Sequence, residues 1–252
     1  MGKFSLSILF IVLALISCAK KAERGNLSGP ASYFEYAKNL YDRGKYEKAK
    51  EAFEGFLFRY PTSIYADDAQ FFLAECHLLT GDYDGAISEF RFFLRSFPGS
   101  EYRRRAYLDL ARAYLMKSKD PELDQSDTQK AIEILRDFLS RYQSGEETDE
   151  ARDLLKRAKE RLAAKTLRAA KLYEVLGKYG SARIYLDYLF ANYPGTKSAQ
   201  EGKLLLARVE YLEGERDSAI ALLDSIIADP DISPDIAERA SSMRKKILKG
   251  NR

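Results

Sequence analysis

Tyr33-Phe34-Glu35-Tyr36-Ala37-Lys38-Asn39-Leu40-Tyr41-Asp42-Arg43-Gly44-Lys45-Tyr46 is the stretch from which the rest of the chain can be read. Gly81 follows Gly44 at a distance of 37 residues, and Pro98 follows Pro61 at the same distance. Tyr46, Ala49 and Phe53 are answered by Tyr83, Ala86 and Phe90, and Ala37 is answered by Ala74. Gly177 and Gly214 are again 37 apart, with Tyr179, Ala182 and Pro194 in the corresponding places. A period of this size means a solenoid of helical hairpins.

Within each period the order is aromatic, Leu-small, aromatic, Gly, then Ala, an aromatic and a closing Pro, the order of the tetratricopeptide repeat. Small residues (Ala37, Ala49, Ala74, Ala86, Ala111, Ala182, Ala207, Ala219) let the two helices of a hairpin approach closely. Gly44, Gly81, Gly177 and Gly214 sit where a helix ends in a left-handed turn, and Pro stops the second helix. The expected fold is all-α: a right-handed tetratricopeptide-repeat solenoid of five helical hairpins plus a C-terminal capping helix. The units fall at about 31–61, 65–98, 101–142, 149–194 and 197–230, within a repeat domain of 31–252. The cap, at 234–249, covers the last apolar face, as repeat arrays require.

The third unit departs from the pattern. Tyr107, Leu110, Ala111 and Tyr114 fit its first helix, but the turn Gly is missing and residues 118–128, with Pro121, are inserted. Ala131, Leu135 and Phe138 resume the second helix, and Tyr142-Gln143-Ser144-Gly145 replaces the closing Pro. The next first helix starts near Thr148 and runs long towards Tyr173.

The 252 residues carry 41 Lys and Arg against 38 Asp and Glu, a near balance that argues against gripping a nucleic-acid backbone. One His and two Cys exclude most zinc, haem and iron–sulfur designs, so no metal and no cofactor are expected. A hydrophobic content of 46% is enough to build a core, which excludes wholesale disorder.

Lys3 precedes an apolar run over residues 4–16, and its 13 residues are too few for a membrane span of about 20. The segment reads as a secretory signal, residues 1–17. Its end, Leu15-Ile16-Ser17-Cys18, resembles the bacterial lipobox. That resemblance implies cleavage before Cys18, a diacylglyceryl thioether on its sulfur and an acylated amino terminus. Ala19, in place of an Asp, is similar to outer-membrane sorting signals. Residues 18–30 then form the acylated Cys and a short tether with Gly25, Gly29 and Pro30. With Cys18 acylated, Cys76 has no disulfide partner and reads as a buried small hydrophobe.

Lipobox, tether and five repeats together resemble the BamD family, the tetratricopeptide lipoproteins of the outer-membrane β-barrel assembly machinery. Four stretches carry the likeness. The first is Tyr46-Glu47-Lys48-Ala49 with Phe53, Arg59-Tyr60-Pro61 and Tyr65-Ala66. The inserted Leu123-Asp124-Gln125-Ser126-Asp127-Thr128-Gln129-Lys130-Ala131 is similar to the family's Asp-rich loop entering an Ala-bearing helix. Lys159-Glu160-Arg161-Leu162-Ala163 matches a charged segment of the family's long fourth-unit helix, and residues 189–196 match its closure. The chain departs from the family after residue 163, where it reads Ala164-Lys165-Thr166-Leu167-Arg168-Ala169-Ala170.

The resemblance implies a non-enzymatic subunit on the periplasmic face of the outer membrane, anchored through Cys18. It implies three kinds of partner: a BamA-like barrel protein bound through its periplasmic domains, other assembly lipoproteins, and unfolded outer-membrane proteins ending in an aromatic residue. Arg161 is the residue expected to dock the barrel partner, because Arg makes a planar two-point contact with carboxylates.

No Gly-rich phosphate loop, Ser/His/Asp order or His–carboxylate metal spacing is present, so no catalytic residue is assigned. His77 reads as a packing residue on an inner helix face. The first helices line the concave side of a solenoid, which suits capture of peptides. Phe34, Lys38 and Tyr41 there align with Phe71, Glu75 and Leu78, and with Leu108 and Arg112. This row is the expected client groove if its apolar members are exposed rather than packed inside. Two other interaction proteins fit the repeats, a pilus-secretin pilot lipoprotein and a cell-division or peptidoglycan-associated factor; an envelope hydrolase has no residues to support it.

Overall fold

The computed structural model describes residues 28–118 and 125–250. Cys18, the apolar leader, most of the tether, and Pro121, Leu123 and Asp124 of the insertion lie outside the described residues. Eleven helices and no strand are found among the described residues. They are α1 (Pro30–Asp42), α2 (Tyr46–Arg59), α3 (Ala66–Thr80), α4 (Tyr83–Ser96), α5 (Arg103–Lys117), α6 (Ser126–Arg141), α7 (Glu146–Val175), α8 (Tyr179–Asn192), α9 (Lys197–Leu212), α10 (Arg216–Ala228) and α11 (Pro234–Lys249). The architecture is all-α and built from tetratricopeptide-type hairpins. The chain divides into two compact units, residues 1–106 and 107–252.

Hairpins form because helices stop at chosen places. α3 ends on Gly81 at φ +81°, where its N–H donates to the Leu78 carbonyl at 3.2 Å. The Asp82 N–H donates to the His77 carbonyl at 2.9 Å, so two otherwise orphaned carbonyls are satisfied in the turn. A side chain at Gly81 would strain that positive φ. Gly44, Gly177 and Gly214 close α1, α7 and α9 with the same pair of bonds. All eight alanines that the repeat spacing singles out are 0% exposed, which is the close helix approach it requires.

In the first unit α2 packs between α1 and α3, and α4 packs on α3. Its core is aromatic, with Phe53, Phe56, Phe90 and Phe93 fully buried. In the second unit α7 has 30 residues, about 45 Å of helix at 1.5 Å per residue. That length lets it pack against α6, α8 and α9. Leu162, Leu186, Leu189 and Leu205 join these helices in one core. Ile236, Ala240 and Ile247 of α11 bury the apolar side of α10 with Leu223 and Ile226.

The third hairpin has no turn glycine and uses buried polar groups instead. The Thr128 hydroxyl, fully buried, lies 2.9 Å from Ser118 Oγ and 3.1 Å from Gln125 Oε1. These bonds tie the two ends of the insertion together and satisfy groups that would otherwise be costly to bury. No helix among the described residues is long and apolar enough to cross a membrane.

Candidate functional site

The row expected to face clients is largely core. Phe34 is buried, its ring stacked on Tyr65 with centroids 5.1 Å apart and touching Phe53 and Phe56. Phe71 is buried in the same way against Tyr102, Phe90 and Phe93. In the second unit Leu108 is fully buried. The expectation of exposed aromatic and Leu side chains is therefore corrected for these three. The first two hairpins bury a ring where each meets the segment that follows, and the third buries Leu108; burying a Phe or Leu side chain contributes roughly 1.5–3 kcal/mol.

Five members remain half-buried: Lys38, Tyr41, Glu75 and Leu78 in the first unit and Arg112 in the second. Tyr41 donates its hydroxyl proton to Glu75 Oε2 at 2.7 Å, bridging α1 and α3. Burial, then the Glu75 carboxylate, pushes the Tyr41 hydroxyl well above its usual range. The Lys38 ammonium pairs with Asp42 and lies 4.8 Å from the centre of the Phe72 ring, a cation–π distance. Arg112, in the second unit, already bonds Asp109 Oδ1 at 2.6 Å and pairs with Glu150. Its guanidinium is thus matched by two carboxylates of its own unit.

Arg161 also has internal work. Its Nη1 donates to the Leu115 carbonyl at 2.9 Å and to the Ser118 carbonyl. Both carbonyls lie at the C-terminal end of α5, the negative end of its dipole. Its neighbour Glu160 serves the opposite kind of terminus. Glu160 accepts from the Lys197 N–H at 2.8 Å, the Ser198 N–H at 3.1 Å and the Ser198 hydroxyl at 2.6 Å, all at the start of α9. Two adjacent charges on α7 therefore hold one helix by its C-terminus and another by its N-terminus. The sequence marked this stretch but not Glu160's part, because the partners lie 37–46 residues away.

His77 packs against the next turn: its Nδ1 is 2.8 Å from Asp82 Oδ2, while Asp82 Oδ1 accepts from the Gly85 N–H and caps α4. Cys76 is fully buried and its thiol is pushed up to about 12, first by burial and then by Glu75.

A feature that the sequence reading missed lies in the second unit. Helices α7, α9 and α11 border a groove of about 390 Å³ with Leu204, Leu205 and Met243 at its apolar side. Arg208 on α9 forms an ion pair with the buried Glu174 of α7, its Nε 3.0 Å from Glu174 Oε1. Glu201 is shared by Arg239 at 2.5 Å and Lys171 at 3.5 Å. Pairs i, i+37 apart gave these residues no signal, since their identities differ from repeat to repeat.

A family model described as YfiO, outer membrane lipoprotein, matches residues 28–226. The chain belongs to the YfiO family. An outer membrane protein assembly factor BamD of Caulobacter vibrioides is 23% identical over 67% of this chain and 57% of the relative. The chain thus spans a little over half the length of that relative. The BamD of Rickettsia prowazekii is 22% identical over 84% of this chain and 85% of its own length. A shorter match, to the cell division coordinator CpoB of Pseudomonas putida, is 36% identical over 25% of this chain and 24% of that protein. Among solved structures, the TPR2AB domain of yeast Sti1 in complex with pHSP90 covers 88% of this chain and 84% of that chain. The identity there is 15% and the TM-score 0.47. The YfiO match takes in α1 to α9 and nearly all of α10, including the Glu160–Arg161 pair and both ends of the insertion.

Proposed function

We propose that this chain is a non-enzymatic subunit of the outer-membrane β-barrel assembly machinery. In this reading it scaffolds a barrel insertase and binds unfolded outer-membrane proteins for insertion. The observation that carries the reading is the family match across residues 28–226, which leaves few described helical residues outside it. The assembly role of the relatives named BamD supports the same reading. Cys18 provides the anchor: each buried CH₂ contributes about 0.8 kcal/mol, and two or more acyl chains hold a protein stably on the periplasmic face of the membrane.

The second unit docks the barrel protein through that partner's periplasmic domains, and the first unit receives clients. With Phe34 and Phe71 in the core, client contact in the first unit falls to Lys38, Tyr41, Glu75 and Leu78. Arg161 supports docking by holding the end of α5 rather than by touching the partner. Purification of the acylated chain from membranes tests the reading. Recovery of a barrel protein with periplasmic domains is the expected result, and recovery of a secretin instead would overturn it.

The local match to a cell division coordinator favours a second reading, a division-associated envelope factor. It spans only a quarter of the chain, so it supports the repeat more than the role. Recovery of division proteins without any barrel protein would decide for it.

A further inference from the structure

We propose that the end of the first hairpin, where the tether enters, rests on the lipid surface and sets Phe58 and Ile64 among the headgroups, a second contact beside the acyl anchor. Phe58 is 92% exposed and Ile64 84%, the two most exposed large apolar side chains among the described residues. Phe58 stands in the last turn of α2 on the face opposite the buried Phe56, and Ile64 lies in the loop before α3. The repeat requires neither. Counted from the core residue near the end of each second helix (Phe56, Phe93, Phe138, Leu189), the place of Phe58 is taken by Arg95, Ser140 and Ala191. The place of Ile64 is taken by Glu101, Glu146 and Lys197, and all six of these residues are exposed. Of these four hairpins, only the first carries a large apolar side chain at both places.

Both side chains sit where the tether joins the fold. The start of α1 meets the end of α2, with the Tyr33 ring centroid 6.1 Å from that of Phe56 and 6.2 Å from that of Tyr60. The Arg59 guanidinium lies 5.8 Å from the centre of the Tyr33 ring. Tyr65, next to Ile64, stacks on Phe34 of α1. Phe58, Ile64 and the entry of the tether at Pro30 therefore share one end of the hairpin. Tyr33, Tyr60 and Tyr65 are half-buried there, a group of amphipathic rings of the kind enriched at membrane–water interfaces. The half-buried Asp67 and Asp68 at the start of α3 stand at the same end, so the contact rests on the apolar pair rather than on charge.

Tether length selects the occupant. Eleven residues, 19–29, separate Cys18 from α1. At roughly 3.3–3.6 Å each they reach at most about 40 Å, so a bilayer holding Cys18 is always within reach of this end. A tethered surface acts at high effective concentration, so even a weak apolar contact is populated. The turns at Gly44 and Gly81 lie at the other end of the hairpins, about 20 Å away along helices of 13 and 15 residues. The inference rests on the anchored reading of Cys18, and the test fixes the anchor chemically so that the two can fail separately.

The chain has no Trp, so a single introduced one reports alone. The chain from Cys18 onward, which holds every described helix, is coupled through the Cys18 thiol to a maleimide-headgroup lipid in vesicles of phosphatidylethanolamine and phosphatidylglycerol. Cys76 is fully buried and does not compete. Phe58→Trp should then emit at shorter wavelength and lose at least half its intensity when the lipid acyl chains are brominated. Leu79→Trp, at a 49% exposed site in the last turn of α3, should keep a water-like emission at full intensity. Ile64→Asp, at an exposed site, should reverse at least half of the quenching seen with Phe58→Trp. Equal quenching at both sites, none with Phe58→Trp, or no effect of Ile64→Asp would overturn the proposal. A blue shift that needs no vesicles and grows with protein concentration would assign this end to a second copy and overturn it as well. Absence of palmitate labelling at Cys18 in cells would remove the natural anchor, while the quenching pattern would still decide whether this end meets lipid.

Discussion

The ring of Phe71 lies almost parallel to that of Tyr102, with centroids 4.5 Å apart and planes inclined by 14°. Thirty-seven residues earlier Phe34 and Tyr65 make the same pair, at 5.1 Å and 10°. Each pair joins the first helix of a hairpin to the segment that opens the next, so the repeat period is held by stacked rings as well as by small residues. Such aromatic pairs contribute about 0.5–1.5 kcal/mol beyond the area they bury. The rings that looked like a peptide-binding row are the mortar between hairpins.

Phe71→Ala should therefore act on stability first. A buried Phe truncated to Ala typically costs about 3–5 kcal/mol, read as a lower urea midpoint. Phe58, at 92% exposed, provides the contrast, and Phe58→Ala should change stability by less than about 0.5 kcal/mol. A Phe71→Ala protein that melts like the parent but no longer binds clients would return this ring to the binding surface.

Glu160→Ala removes three bonds at the start of α9 and should cost about 1.5–3 kcal/mol, the range for bonds to a charged group. Combined with Ser198→Ala the loss should be less than additive, because the two side chains share one interaction. Arg161→Glu sets a negative charge against the carbonyls of α5 and should lower the urea midpoint too. Docking of the barrel partner should then fail only as stability fails. Loss of docking at an unchanged midpoint would show that Arg161 touches the partner.

Two carboxyls of the first unit should give opposite pH slopes. The Gly85 N–H, then His77, holds the Asp82 carboxyl below its usual value. Its contribution is present above the unfolded pKa of about 3.9 and is lost as pH falls through the lower folded value. Burial, then Asp67 and Glu101, raises the Asp68 carboxyl, so its contribution is present below about 3.9 and lost as pH rises through the folded value. Asp82→Ala should cost about 1 kcal/mol of helix capping near neutral pH. Asp68→Asn should stabilise there, and urea midpoints measured from about pH 3 to 7 should show the two effects fading at the acid end.

Cys76 should be inert. A thiol-reactive dye at mildly alkaline pH should leave the folded protein unlabelled and react fully in denaturant, because the thiolate is disfavoured by burial and by Glu75. Rapid labelling of the native protein would show that α3 opens locally.

Cys18→Ala should abolish acylation and release the protein from membranes or leave an uncleaved precursor. Palmitate labelling that persists in this variant would defeat the lipoprotein assignment.

The hairpins were legible because their signals are local and repeated. Gly81 closes a helix with bonds to residues three to five positions back, and Ala74 admits a neighbouring helix simply by being small. The row of Phe34, Phe71 and Leu108 was legible as a row, but sequence spacing does not say which side of a helix the next hairpin will cover. His77 and Cys76 were read as packing residues, and both sit against their own hairpin.

What the sequence by itself determined is what local chemistry or its plain recurrence reveals: the helix ends, set by residues a few positions away, and the 37-residue period at which they recur. Only the tertiary structure decided what each charge does. Arg112 meets Glu150 from 38 residues away, Arg161 meets carbonyls 43 and 46 residues before it, and Glu160 meets an N-terminus 37 and 38 residues beyond it. A charged side chain looks the same in sequence whether water or another helix end surrounds it. The difference arises from the partner's position in space, which the folded chain alone supplies.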